Sequence, residues 1–113
     1  MIPKKELHDF FTSLKEYEIT LTKIIPLCLK QGDEEIDMEI THLLTCRDEL
    51  QSDIERFSDE PQIATHIVKI HELDGKLALQ KEIIFSHNAD YQRWRKRNNI
   101  PKSHWWWYMD EEN

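Results

Sequence analysis

His42 and Cys46 are the two residues whose types and spacing come closest to a reactive pair. They stand four positions apart within a helical pattern, so their side chains share one helix face. An imidazole and a thiol are both zinc ligands, but zinc needs further ligands and no Cys-x-x-Cys motif supplies them. A thiol nucleophile would need a third, orienting group and an oxyanion site. We therefore interpret His42 as a surface histidine near a buried thiol. A metal-binding or enzymatic bundle using His42 and Cys46 is the disfavoured alternative.

A second candidate for metal binding is the segment from Glu39 to His42, which has the Glu-x-x-His spacing of di-iron sites in helical bundles. Such a site requires a second Glu-x-x-His element, and the sequence contains none. Glu39 and His42 also flank the apolar stripe of their segment instead of lying on it. The chain has no phosphate-binding glycine loop, no Gly-x-Ser-x-Gly and no His-Glu-x-x-His. The sequence thus predicts no catalytic residue, no cofactor, no metal site and no enzyme.

The composition indicates what kind of scaffold carries these residues. The chain has 113 residues, 33% of them charged and 39% hydrophobic, with two glycines and four prolines. A chain of this size forms one domain. The small number of glycines and prolines disfavours an all-β fold, which needs many turns. Apolar residues recur too regularly for a disordered acidic chain. The composition therefore predicts a single all-α domain built from amphipathic helices.

The first two segments repeat apolar residues at alternating steps of three and four, as coiled-coil-like helices do. In the first segment the repeat comprises Leu7, Phe10, Leu14, Tyr17, Leu21, Ile24 and Cys28. Pro26 predicts a kink or an early stop there, and Gly32 predicts the end of the helix. In the second segment the repeat comprises Ile36, Ile40, Leu43, Arg47, Leu50, Ile54 and Phe57. Arg47 is either a snorkelling or locally paired arginine or a polar residue that sets the register of a helix–helix seam.

A third segment carries its apolar face from Ile63 through Ile84 to Tyr91 and Trp94. The spacing crosses Gly75 without a phase shift, so we expect one long helix ending near Asn98. A turn at Asp74–Gly75 would instead give a four-helix bundle. Short links make neighbouring helices antiparallel. The sequence thus predicts an antiparallel, up-down-up three-helix bundle over residues 1–98, followed by an irregular aromatic tail over residues 99–113.

The tail is separated from the bundle by a helix stop. Asn98 and Asn99 tolerate left-handed geometry, and Pro101 forces Ile100 out of the α region. The run from Trp105 to Tyr108 then places three of the four tryptophans of the chain together. Three hypotheses compete: the rings cover the chain's own core, they dock on another protein or a second copy, or they bind lipid or single-stranded nucleic acid. At least one ring of a consecutive run must point outward.

The distribution of charge along the chain indicates which class of partner is favoured. Residues 1–85 hold eighteen acids against ten Lys and Arg, whereas residues 86–113 hold four acids against five. The acidic body repels nucleic acid and anionic membranes, so a peripheral binder of either is only the alternative function. We expect a small non-catalytic interaction module with a protein partner or, as a homo-oligomer, a dimer. The predicted partner-binding residues are Tyr91, Arg93, Trp94, Arg95, Arg97, Trp105, Trp106, Trp107 and Tyr108.

The expected compartment is the cytoplasm. Two cysteines do not make a disulfide framework in a domain of this size. The first residues, MIPKKELHDF, do not read as a secretory signal. No apolar run approaches the ~20 residues that a membrane-spanning helix needs. A reducing compartment and free thiols are therefore the expectation.

Overall fold

A computed structural model describes residues 2–87 and 91–111, and these residues form helices and turns without a β-strand. The prediction of an all-α protein is confirmed. The first predicted segment comprises helix α1 (Lys4–Ile19), a π-helical turn (Thr20–Ile24) and α2 (Ile25–Gln31), and the second is α3 (Ile36–Phe57). Helices α4 (Pro61–Leu79), α5 (Lys81–Ser86) and α6 (Tyr91–Arg97) follow, and then two short 3₁₀ turns, Trp105–Trp107 and Met109–Glu111.

The irregularity predicted at Pro26 takes the form of the π-helical turn that precedes it. Proline has no N–H to donate and its ring crowds the carbonyl four residues earlier. In the wider turn the N–H of Ile25 bonds the carbonyl of Thr20, five residues back. The π-helical turn contains one residue more than an α-helical turn. The buried face of the helix therefore shifts from Ile24, which is only partly buried, to Ile25, which is fully buried. The segment ends at Gly32, whose φ of 65° is left-handed as expected.

The expected single helix from Ile63 to about Asn98 is wrong, and so is the count of three helices. Helix α4 passes through Gly75 unbroken, which also makes the alternative turn at Asp74–Gly75 wrong. The break lies at Gln80, whose N–H bonds the carbonyl of Leu77 three residues back. The redirected chain lets α5 pack against the turn Met109–Glu111. This tertiary contact overrides a local sequence that carries no glycine or proline at the break.

The core is built where α1 packs on α3 and α3 packs on α4. The apolar positions of the predicted stripes supply most of it, and it extends without interruption to the C-terminal segment. Trp106, Trp107 and Met109 belong to the same buried cluster as the helix residues. In the part of the chain that is described, no helix is both long enough and apolar enough to cross a bilayer.

Candidate functional site

The C-terminal segment folds back onto the helices in a tight series of turns. Asn99 has a φ of 51°, the left-handed geometry expected at the helix stop. The Tyr108 hydroxyl donates to the carbonyl of Ile100 and so closes the turn. Within the 3₁₀ turn, Trp106 and Trp107 point inward and are 1% and 0% exposed, whereas Trp105 points outward and is 36% exposed. The expectation that one ring would face outward is confirmed at Trp105.

The two inner tryptophans share one acceptor, the carboxylate of Asp48 on α3. The indole N–H of Trp106 donates to Oδ1 at 2.8 Å, and that of Trp107 lies 2.9 Å from Oδ2 and 3.0 Å from Oδ1. Nδ1 of His104 lies 2.9 Å from the same Oδ1. A buried indole N–H must find a partner, because an unpaired donor is costly. Asp48 therefore fixes the orientation of both rings on the helix.

A buried ion pair lies beside these rings. Arg47, only 3% exposed, donates from Nε to Asp74 Oδ1 at 2.8 Å and from Nη2 to Oδ2 at 3.1 Å. The Tyr17 hydroxyl donates to the same carboxylate at 2.7 Å, and burial followed by the charge of Asp74 raises the pKa of Tyr17 far above its usual range. The Arg47 guanidinium lies 4.3 Å from the Trp106 ring centre. Arg47 thus joins α3 to α4 and does not snorkel to solvent.

Arg95 on α6 holds the other side of the segment. Its Nη1 donates to the carbonyl of Trp107 at 2.8 Å and to Asp110 Oδ1 at 2.7 Å. Its guanidinium also lies 4.7 Å from the ring centre of Tyr108. Burial alone would raise the pKa of Asp110, but hydrogen bonds from Arg95 and Tyr91 outweigh it and lower the pKa. The same environment, chiefly burial, raises the pKa of Tyr91 to about 12.

The nine predicted partner-binding residues therefore divide into an inner and an outer group. Tyr91, Trp106 and Trp107 are buried, and Arg95 and Tyr108 are half-buried in the contacts just described. Trp94 is 38% exposed and stacks on Trp107 with 6.3 Å between ring centres. The remaining members are exposed: Arg93, Arg97 and Trp105. The inner group attaches the segment to its own helices, and the outer group faces solvent.

The outward ring of Trp105 borders a surface pocket of about 270 Å³, called here the Trp105 pocket. An alanine methyl, a thioether and two aromatic rings form its apolar part, and an ion pair of 3.7 Å between Lys102 Nζ and Glu111 Oε1 borders it. The lining residues are Ala78, Lys102, Trp105, Tyr108, Met109 and Glu111. Four of the six lining residues are apolar or aromatic, and the other two carry opposite charges.

The side chains of His42 and Cys46, the pair considered from the sequence, lie in contact, but their surroundings do not activate the thiol. Cys46 Sγ lies 3.6 Å from His42 Nε2, and that nitrogen also lies 3.3 Å from Glu16 Oε2. Burial first, and then the nearby acids Glu49 and Glu16, raise the pKa of Cys46 to about 12. Within residues 2–87 and 91–111, no three His, Cys, Asp or Glu side chains are grouped so as to hold a metal ion. A thiolate nucleophile at His42 and Cys46 is disfavoured by this environment.

Sequence reasoning missed the residues that position the rings and complete the pocket. A signal for Asp48 was available, because buried indoles need acceptors and Asp48 follows Arg47 next to the apolar stripe of α3. For His104, Ala78, Lys102, Met109 and Glu111 we find no comparable signal, since only the fold brings them to the rings. Comparisons with protein-family models, with curated proteins and with solved structures gave no match.

Proposed function

We propose that this chain is a small, non-catalytic helical interaction module that self-associates as a dimer through its C-terminal segment. The observation that carries the proposal is the placement of Trp105. Trp105 is 36% exposed and lines a largely apolar pocket, although the next two residues, Trp106 and Trp107, are buried. Tryptophan is among the residues that contribute most to protein–protein binding energy, especially next to a pocket.

The contacts beneath Trp105 support this role. Its ring packs edge-on against Trp106 with 5.6 Å between ring centres, and Trp106 is in turn held by Asp48 and by the Arg47 guanidinium. A side chain resting on such a fixed support loses little conformational freedom when it binds.

The up-down-up order of the main helical segments is part of the proposal, and the short link between α3 and α4 favours it.

The alternative function, binding to anionic membranes or single-stranded nucleic acid, needs free cations beside the rings. Arg95 is paired with Asp110 at 2.7 Å, and Lys102 lies 3.7 Å from Glu111, so two of the five cations of residues 91–111 have an acidic neighbour. An exposed tryptophan beside a pocket lined mainly by apolar and aromatic residues is instead typical of a protein interface. We therefore propose that the partner is a protein, and specifically a second copy of this chain.

The test compares two single substitutions in the full chain. Trp105 and Trp94 are almost equally exposed, but only Trp105 lines the pocket. We expect Trp105→Ala to weaken the dimer about 30-fold or more, as for an interface residue worth ~2 kcal/mol. We expect Trp94→Ala to change the dissociation constant less than about 3-fold. Sedimentation velocity over a concentration series gives both constants, and circular dichroism verifies that both variants are folded. Equal effects of the two substitutions would overturn the assignment of the docking residue.

A further inference from the structure

Two segments of this acidic chain contain no acid at all, and they lie side by side in the fold. Residues 19–32 contain two lysines and no Asp or Glu, and residues 75–81 also contain two lysines and no Asp or Glu. The first segment comprises the π-helical turn and α2, and the second comprises the end of α4 and the first residue of α5. Helix α4 packs against the π-helical turn, so the two segments share one surface.

This shared surface carries exposed apolar side chains. Leu79 is 88% exposed, the highest value among the large exposed apolar side chains of the described residues, and Leu27 is 52% exposed. Leu79 and Pro26 line the same hollow of about 320 Å³, and Leu27 directly follows Pro26. A single exposed leucine is ordinary on a protein surface. Two exposed leucines beside an exposed proline form an apolar patch, which marks an interaction surface more often than a lone side chain does.

Unpaired lysines lie among these apolar side chains. Lys23 precedes Leu27 by four residues and Lys30 follows it by three, so all three share one helix face. On α4, Lys76 precedes Leu79 by three residues and lines the same hollow. The three lysines are exposed, and within residues 2–87 and 91–111 none of them takes part in an ion pair. We call this surface the Leu79 patch; its residues are Lys23, Pro26, Leu27, Lys30, Lys76 and Leu79.

The acids that precede the two segments are already paired. Glu18 lies 2.6 Å from Lys69, and Asp74 is buried in its ion pair with Arg47. Neither carboxylate is therefore available to the lysines of the Leu79 patch.

The acids that follow the two segments leave the middle of the Leu79 patch positive. Asp33 and Glu34 line a different hollow, beside Cys28 and His87. Glu82 is exposed at the start of α5. The other acids are distributed over a molecule that measures 43 × 29 × 24 Å, and their field is screened within a Debye length of ~10 Å at 0.1 M salt. An anionic surface that meets the patch is therefore attracted locally, although the chain as a whole is negative.

Charge and shape together indicate what this surface binds. Each lysine near an anionic bilayer strengthens binding by about fivefold. A protein partner would need a matching hollow for each projecting leucine, whereas acyl chains close around a projection of any shape.

We propose that the Leu79 patch binds the surface of an anionic lipid bilayer. Leu79 and Leu27 enter the boundary between headgroups and acyl chains, and the lysines contact the lipid phosphates. This function goes beyond the proposed self-association and does not depend on it, because a single chain carries the whole patch.

The first experiment is cosedimentation of the full chain with lipid vesicles at ~0.1 M salt. Vesicles of phosphatidylcholine with about 30% phosphatidylserine should bind the chain at least about 10-fold more tightly than vesicles of phosphatidylcholine alone. Raising the salt to ~0.5 M should weaken the binding, because it screens the lysines. A chain that does not bind the anionic vesicles at the lower salt overturns the inference.

Two pairs of variants locate the binding surface. Leu79→Ala should weaken vesicle binding about 10-fold or more, since it removes three inserted carbons. Its control is Val68→Ala, which is exposed on the same helix ~16 Å away and should change binding less than about 2-fold. Lys76→Gln should weaken binding about fivefold, whereas Lys5→Gln, with the same change of charge ~27 Å before Lys23 along the first helical segment, should change it less than about 2-fold. All four sites face solvent, so the variants should fold, which circular dichroism verifies.

A last variant separates the Leu79 patch from the basic C-terminal segment. Arg97→Gln removes an exposed cation of α6 and should change vesicle binding less than about 2-fold. If Arg97→Gln weakens binding as much as Lys76→Gln does, or if Leu79→Ala binds like the wild type, the lipid site lies elsewhere and the inference is wrong. A chain that ignores anionic vesicles but binds an acidic protein through Leu79 and Lys76 likewise overturns the assignment of lipid.

Discussion

Removal of the Asp48 carboxylate should release the C-terminal segment and destabilise the whole domain. In Asp48→Ala the buried indole donors of Trp106 and Trp107 lose their acceptor. An unsatisfied buried donor costs roughly 1–3 kcal/mol. The side chain of Asp48 is 25% exposed, so water can reach part of the site and the lower half of that range applies. The expected loss for two donors is about 2–4 kcal/mol, a large part of the ~5–15 kcal/mol that stabilises a domain.

Urea unfolding of the full chain measures this loss. Tryptophan fluorescence follows the segment, because three of the four tryptophans lie in it, and far-ultraviolet circular dichroism follows the helices. The two transitions should coincide, since the segment shares one buried cluster with the helices. Asp48→Asn keeps one acceptor oxygen and should cost only about 1–2 kcal/mol. Asp59→Ala, at an exposed aspartate, should stay within about 0.5 kcal/mol of the wild type. An Asp48→Ala chain as stable as the Asp59→Ala control would refute the role of the carboxylate.

Three further predictions concern buried charge, pH and the thiol. Arg47→Met leaves the carboxylate of Asp74 buried and unpaired and should cost about 3–5 kcal/mol in urea unfolding, whereas adding Asp74→Leu should recover most of that loss. Because folding lowers the pKa of Asp110, this residue contributes to the free energy of unfolding in full above its ordinary pKa of 3.8. The contribution is lost as the pH falls through the lowered pKa. Acid unfolding of Asp110→Asn should therefore lack this loss, and an unchanged pH profile would contradict it. With its pKa raised to about 12, Cys46 should react with iodoacetamide at neutral pH far more slowly in the folded chain than in urea, and equal rates would contradict its burial.

The helices were largely predictable because their apolar spacing is a local property of the chain. The repeats through Phe10 and Leu50 predicted helices that the structure contains, and Gly32 predicted the end of the first segment. The break at Gln80 was not predictable, because its cause is the packing of α5 against the turn Met109–Glu111. Contacts between distant parts of the chain leave no local sequence signal.

The candidate site was predictable only as a segment. The sequence identified the cluster of tryptophans and required that one ring face outward, but not which one. The 3₁₀ geometry of the turn decides that Trp105 faces solvent while Trp106 and Trp107 face Asp48. The Trp105 pocket also needs Ala78 from α4, which no spacing argument connects to the tail.

Sedimentation equilibrium of the unmodified full-length chain tests the central claim most directly. The proposed docking surface around Trp105 requires reversible self-association, so the weight-average mass should rise with concentration toward twice the 13.7 kDa of one chain. The rise should persist at moderate salt, since most residues that line the pocket beside Trp105 are apolar or aromatic. A mass that stays at that of the monomer up to millimolar concentration would contradict the claim.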